Sequence, residues 1–292
     1  VDLGAVGIWW SGSWAGADGT HGAAAVAAES LGYGTLWSSA GFEPGLPDRF
    51  ARLLDATTHV AVASGIASIW HVTPARAAAD AAALDADHPG RFLLGLGASH
   101  AVVVDRGEVR YQRPFTRMVA YLDQLDDAGP AVAADRRILA ALGPRMLTLA
   151  AERAAGAHPY FVPVEHVDGA RRLMGPGPLL APEVAVVVES DPAVARAVAR
   201  GYTEGYLGLP NYADNLRRLG YGDEDLAGAG SDRLVDAVVA WGDPAAIADR
   251  VRSYHQAGAD HVCLQVVVDR SAGFPLDAYR SLAAVLFGER SD

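Results

Sequence analysis

Apolar residues come in short, dense runs separated by stretches in which they recur three or four positions apart, and the two patterns alternate along almost the whole chain. The dense runs, at 3–10, 34–38, 60–70, 91–97, 137–142, 157–162, 183–188 and 260–268, have strand length. Helical spacing fills the intervals: 21–31, 47–57, 74–86, 114–126, 145–153, 165–174, 191–202, 244–257 and 276–287. Local punctuation agrees with this division. Thr20 and Asp191 stand at N-cap positions, Pro74 and Pro144 at first helical positions, and Gly32, Gly156 and Gly258 where helices stop. Only 206–230 breaks the rhythm, which predicts a helical insertion at about 203–232. Eight strands alternating with helices, with no internal linker, predict one α/β domain over 1–292. A (β/α)8 TIM barrel with insertions fits this pattern better than a doubly wound open sheet.

Composition narrows the partners. With 51% hydrophobic and 20% charged residues the chain has the make-up of a globular protein, so disordered and collagen-like readings fail. A net charge of −11 opposes nucleic-acid binding, which needs a positive surface to displace counterions. No apolar stretch approaches the roughly 20 residues that cross a bilayer, and residues 1–3 open no basic-then-apolar leader, so a cytoplasmic location without membrane association is expected. All 24 basic residues are arginine, which removes Schiff-base and phosphate-loop lysine chemistry. The single cysteine, Cys263, lies inside an apolar run and reads as a buried strand thiol.

In a barrel the reacting groups belong just past the C-terminal ends of the strands. Trp9, Trp10, Trp37 and Trp70 fall there, and aromatic walls suit a pocket for a flat conjugated ring. Gly143 before Pro144 leaves backbone N–H groups open at a helix start, a seat for an anionic group to which Arg145 could add charge. Gly95 and Gly97 begin like a dinucleotide fingerprint, but His100 replaces its third glycine; they either let backbone approach a ligand or permit a tight strand exit. Ser99 beside His100 lacks the second glycine of a nucleophile elbow, and no histidine spacing fits a metal. His100 and His71 remain the titratable groups best placed for proton transfer, with His158 a further candidate.

Several segments in fixed order carry a family likeness: 32–37, 63–70 followed by Pro74, 90–97, 141–147 with 154–160, 230–235 and 257–262. Together they resemble the luciferase-like flavin and deazaflavin oxidoreductases, above all the branch dependent on coenzyme F420. The resemblance implies a cofactor across the C-terminal mouth of the barrel and a homodimer. It implies a non-proline cis peptide around Ser64, Gly65 and Ile66 that supports the ring. It also implies cofactor contacts from Ala98 and Ser99 after strand four and from Leu142 and Gly143 after strand five. Deazaflavin sugar-phosphate dehydrogenases of this kind carry an Asp-His pair where this chain has Ala40 and Gly41, and a glutamate where it has His100. The expected activity is therefore hydride transfer between coenzyme F420 and a small organic substrate, with His100 moving the proton. FMN-dependent monooxygenation is the alternative, and a non-catalytic flavin- or deazaflavin-binding protein is a third reading.

Overall fold

The computed structural model describes residues 1–16, 19–20, 22–41, 45–46, 48–105, 110–269 and 273–288. The chain opens with β1 (Val6–Trp9), α1 (Ala23–Ser30), β2 (Thr35–Ser38), α2 (Arg49–Ala56), β3 (Ala61–Ser64), β4 (Ala67–Ser68) and α3 (Pro74–Asp87). It continues through β5 (Phe92–Gly97), α4 (Ala101–Val104), α5 (Pro114–Asp126), β6 (Arg137–Leu139), α6 (Pro144–Arg153), β7 (Gly156–Ala157) and α7 (Val164–Met174). After β8 (Leu179–Leu180) and β9 (Glu183–Val188) come α8 (Pro192–Leu207), α9 (Pro210–Arg218), α10 (Asp223–Leu226) and α11 (Asp232–Val238). The last elements are β10 (Val239–Gly242), α12 (Pro244–Gln256), β11 (Val262–Val266) and α13 (Leu276–Leu286). Proline stands in the first turn of α3, α5, α6, α8, α9 and α12, where its missing N–H costs nothing. His21 and Pro47, where two helices were expected to begin, lie outside the described residues.

All strand pairs are parallel, in the order β10-β9-β11-β1-β2-β3-β5-β6-β7-β8, with β4 beside β5. The run 179–188 closes the curl because it is bonded on both edges. Ala181 N–H and Glu183 N–H donate to Ala157 O and Pro159 O on one side, each at 2.9 Å. On the other side Leu180 O and Pro182 O accept from Asp260 N–H and Cys263 N–H, again at 2.9 Å. The result is a TIM-like barrel. Its interior is filled by Trp9, Trp37, Ala61, Ala63, Leu93, Ile138, Ala181 and Cys263, while a larger apolar layer joins the sheet to its jacket of helices. No described helix is long and apolar enough to cross a membrane.

Four sequence expectations change. The run 60–70 is not one strand: a cis peptide between Gly65 and Ile66 separates β3 from β4, at the position the family likeness implied. The strand β7 is assigned only to Gly156–Ala157: His158 N–H still donates to Leu139 O and Pro159 O still accepts from Glu183 N–H, but Pro159 has no N–H to extend the ladder and 160–162 leave it. The strand β10 was not foreseen because the apolar stretch 234–241 passes from α11 into it with no Gly or Pro between. Finally, α8 continues to Leu207 rather than stopping near Tyr202.

The glycines of 95–97 have a packing reason. Ser64 Oγ donates to Gly95 O at 2.9 Å and accepts from Gly95 N–H at 2.8 Å, pinning β3 to β5 where β3 ends. A Cβ on Gly95 would lie 1.8 Å from Ser64 O, and one on Gly97 would lie 2.6 Å from the Ile66 side chain. Gly95→Ala is therefore expected to destabilise the fold by about 3 kcal/mol in urea titrations, since backbone cannot yield as a side chain does. Gly169→Ala, inside α7 with open space around the new methyl, is expected to stabilise by about 0.5–1 kcal/mol. Equal effects from the two would contradict this account of the packing.

Candidate active site

The C-terminal ends of β1, β3, β5 and β6 surround a cavity of about 540 Å³, within the usual range for small-molecule sites. Trp9, Gly65, Ile66, Ala98, Ser99, His100, Leu142, Gly143, Pro144 and Arg145 all line it, so residues spread over 137 positions of sequence meet in one place. Ser64, Gly97, His71, Trp10, Trp37 and Trp70 do not line it. Ser64 and Gly97 act one step back, by holding the Gly65–Ile66 segment against β5.

The tryptophans divide by the faces they occupy. Trp9 points into the cavity. Its neighbour Trp10 points the other way, as alternate strand positions must, and packs edge-on against Phe274 at 5.8 Å. Trp37 is wholly enclosed in the barrel, stacked on His158 at 4.2 Å and donating from Nε1 to His261 Nε2 at 3.1 Å. Trp70 donates from Nε1 to Ala98 O at 2.6 Å, so it braces the exit of β5 from behind. His71 is drawn away from the cavity by Ser68, whose Oγ lies 3.1 Å from its Nδ1.

His100 occupies the N-cap position of α4, with its ring 4.9 Å from that of Tyr212. Its Nδ1 is buried without a protein partner, and burial holds the imidazole below the usual histidine range, so it is neutral at pH 7. Ser99 before it adopts a left-handed backbone (φ 57°), which turns the chain sharply at the strand exit. Its carbonyl accepts from Asn211 Nδ2 at 3.3 Å, tying this turn to α9.

At the opposite end, Gly143 is the N-cap of the ten-residue helix α6. Pro144 supplies no N–H and the Met146 and Leu147 amides donate to Gly143 O, each at 3.0 Å, so the Arg145 N–H is the amide left open at the positive end of the helix dipole. Arg145 lies over the Phe115 ring at 4.0 Å. Arg218, from α9, brings its guanidinium beside Gly143 and is held by Asn215 Oδ1 at 3.1 Å. The site thus has a cationic end that the sequence pattern had only half revealed.

Sequence reasoning missed the roof, whereas Trp9 and His158 of the floor were among its candidates. Helices α8 and α9 contribute Tyr206, Asn211, Tyr212, Asp214 and Arg218 to the cavity, and the floor is Trp9 with His158 and Tyr160. His158 is buried and its Nδ1 lies 2.6 Å from Ala181 O, so Nδ1–H donates and Nε2 carries a lone pair. Burial pushes its pKa down to about 4. A histidine before a proline was the available signal, but its partners are remote in sequence. Cys263 is buried in β11 with its thiol pushed up by burial, which suits packing and not nucleophilic chemistry. A second hollow of about 720 Å³, bordered by Trp14, Arg49, Arg52 and Arg76, contains none of the candidate residues.

A family model described as luciferase-like monooxygenase matches residues 19–261. A search of curated proteins found no match. Among solved structures, an F420-dependent secondary alcohol dehydrogenase in complex with an F420-acetone adduct is similar at TM-score 0.70 and 15% identity, covering 97% of this chain and 98% of that one. The coenzyme F420 dependent tetrahydromethanopterin reductase from Methanopyrus kandleri gives TM-score 0.66 at 16% identity, covering 97% and 98%. The oxygenating constituent of 3,6-diketocamphane monooxygenase from Pseudomonas putida, in complex with FMN, gives 0.67 at 15% identity, covering 96% of each chain. At these identities the three likenesses speak to the fold.

Proposed function

The chain belongs to the luciferase-like monooxygenase family, and on that premise we propose that it is an oxidoreductase moving a hydride between coenzyme F420 and a small organic substrate. The observation that carries the reading is the mixed lining of one cavity: apolar walls from Ile66, Ala98 and Leu142, and a helix N-terminus at Gly143 with Arg145 and Arg218. A planar tricycle with an acidic tail has the same mixed character, so the residues present fit it. Gly143, Arg145 and Arg218 would hold the tail, and Ile66, Ala98 and Leu142 would bound the ring. The bound ring supplies the hydride chemistry. The protein's own part is alignment, exclusion of water by the roof of tyrosines, and proton transfer at a His100 ring nitrogen.

A second reading, FMN-dependent monooxygenation, is favoured by the description of the family model and by the FMN-bound structural relative. Titrating the protein with coenzyme F420 and with FMN, followed by ring fluorescence, separates the two. Tight F420 binding with weak FMN binding is the expected result; the reverse order would replace the first reading by the second. Arg218→Ala is expected to weaken the tailed cofactor about tenfold, more at low salt than at high, and to leave binding of the tail-free ring unchanged. Equal losses for tailed and tail-free forms would show that Arg218 does not meet the tail.

A further inference from the structure

Two buried polar atoms of opposite kind are left without a protein partner at the floor of the cavity: Trp9 Nε1, a donor, and His158 Nε2, an acceptor. Their residues are 8% and 2% exposed. Leaving such atoms unpaired is costly, and native structures seldom do so without a reason. Both lie beside Gly65, where a Cβ would stand 2.6 Å from Trp9 Nε1 and 3.6 Å from His158 Nε2, so only glycine fits next to the pair. Both rings are also fixed from behind. Trp9 meets Tyr160 edge-on at 5.7 Å, and His158 stacks on Trp37 with an interplanar angle of 12° while Nδ1–H is committed to Ala181 O. The pair is rigid before anything binds, so little ordering is needed on binding.

The chemistry of the pair selects its ligand. A carboxylate or phosphate offers only acceptors and would face the His158 lone pair, and an ammonium offers only donors and would face Trp9 N–H. A neutral group with a carbonyl beside an N–H satisfies both. We propose that Trp9 and His158 form the seat for the lactam edge of the bound ring, its C=O accepting from Trp9 Nε1–H and its N–H donating to His158 Nε2. This rests on the proposed function, and it fixes which way round the ring lies: lactam edge on the floor, acidic tail at Gly143.

Nitrogen NMR of protein carrying 15N-histidine and 15N-tryptophan tests the seat directly, with FMN and coenzyme F420 as probes and the N3-methylated form of whichever ring binds as the control lacking the lactam N–H. On adding the parent ring that binds, the His158 Nε2 resonance is expected to move upfield and the Trp9 indole proton downfield. The His158 shift should vanish with that N3-methylated form while the Trp9 shift persists. Trp9→Phe is expected to weaken the parent ring about tenfold. A parent ring that binds and leaves both resonances in place overturns the seat alone. If neither parent ring binds, the functional reading falls and the seat falls with it.

Discussion

Replacing His100 with asparagine is expected to lower turnover by about 10²–10⁴-fold, the usual contribution of a positioned acid or base, while cofactor affinity stays close to that of the unaltered protein. The split follows from the geometry. His100 lines the cavity and rests on Tyr212, but the contacts expected to hold the ring and its tail come from other residues. Asparagine keeps polarity and approximate size and cannot carry a proton through the reaction. Burial lowers the His100 pKa, so the neutral imidazole persists below pH 6.5 and the acid limb of kcat/KM should lie below that of an exposed histidine. Unchanged turnover in the variant would remove His100 from the chemistry. A parallel loss of affinity and turnover would make it a binding residue.

Stability is expected to peak near pH 6.5 and to fall on both sides, most steeply towards acid. His158, His166 and His261 are pushed down from 6.5 to about 4, each chiefly by burial. Their folded pKa values lie below the unfolded ones, so their contribution is complete above pH 6.5 and is lost as pH falls towards 4. Each costs up to about 1.4 kcal/mol per pH unit over that window. Glu183 has the opposite sign. Burial raises it from 4.5 to about 8, so its contribution is complete below pH 4.5 and is lost as pH rises through 8. Between pH 4.5 and 6.5 it offsets one of the three histidines, leaving a net slope of roughly 3 kcal/mol per pH unit; from 6.5 to 8 it acts alone with reversed slope. Urea midpoints from pH 4.5 to 8.5 read both limbs. Glu183→Gln should flatten the alkaline limb and steepen the acid one by about 1.4 kcal/mol per pH unit, and His261→Gln should shallow only the acid one. A pH-independent midpoint in this range would contradict the buried neutral histidines.

These same histidines mark the boundary of what sequence can disclose. The barrel was legible because most strands and helices, β10 excepted, carry their own signal: dense apolar runs, caps, and prolines at helix starts such as Pro74 and Pro144. The cationic seat was half legible because Gly143 and Pro144 are adjacent, whereas Arg218 arrives from an insertion whose docking no local pattern encodes. Trp9 and Trp37 look alike in sequence as aromatic residues at strand ends. Their surroundings differ, because Trp37 is enclosed between His158 and His261 while Trp9, beside Gly65, lines the cavity. His158 was a candidate within the segment 154–160, but its role comes from Ala181, Trp37 and Gly65, none of them near it in the chain.

Electron density from crystals grown with coenzyme F420 would test the central claim most directly. The account predicts a flat ring against Gly65 and Ile66, its tail reaching the Arg145 N–H and the Arg218 guanidinium. Density in the separate hollow beside Arg49, Arg52 and Arg76, with the barrel mouth left empty, would contradict it.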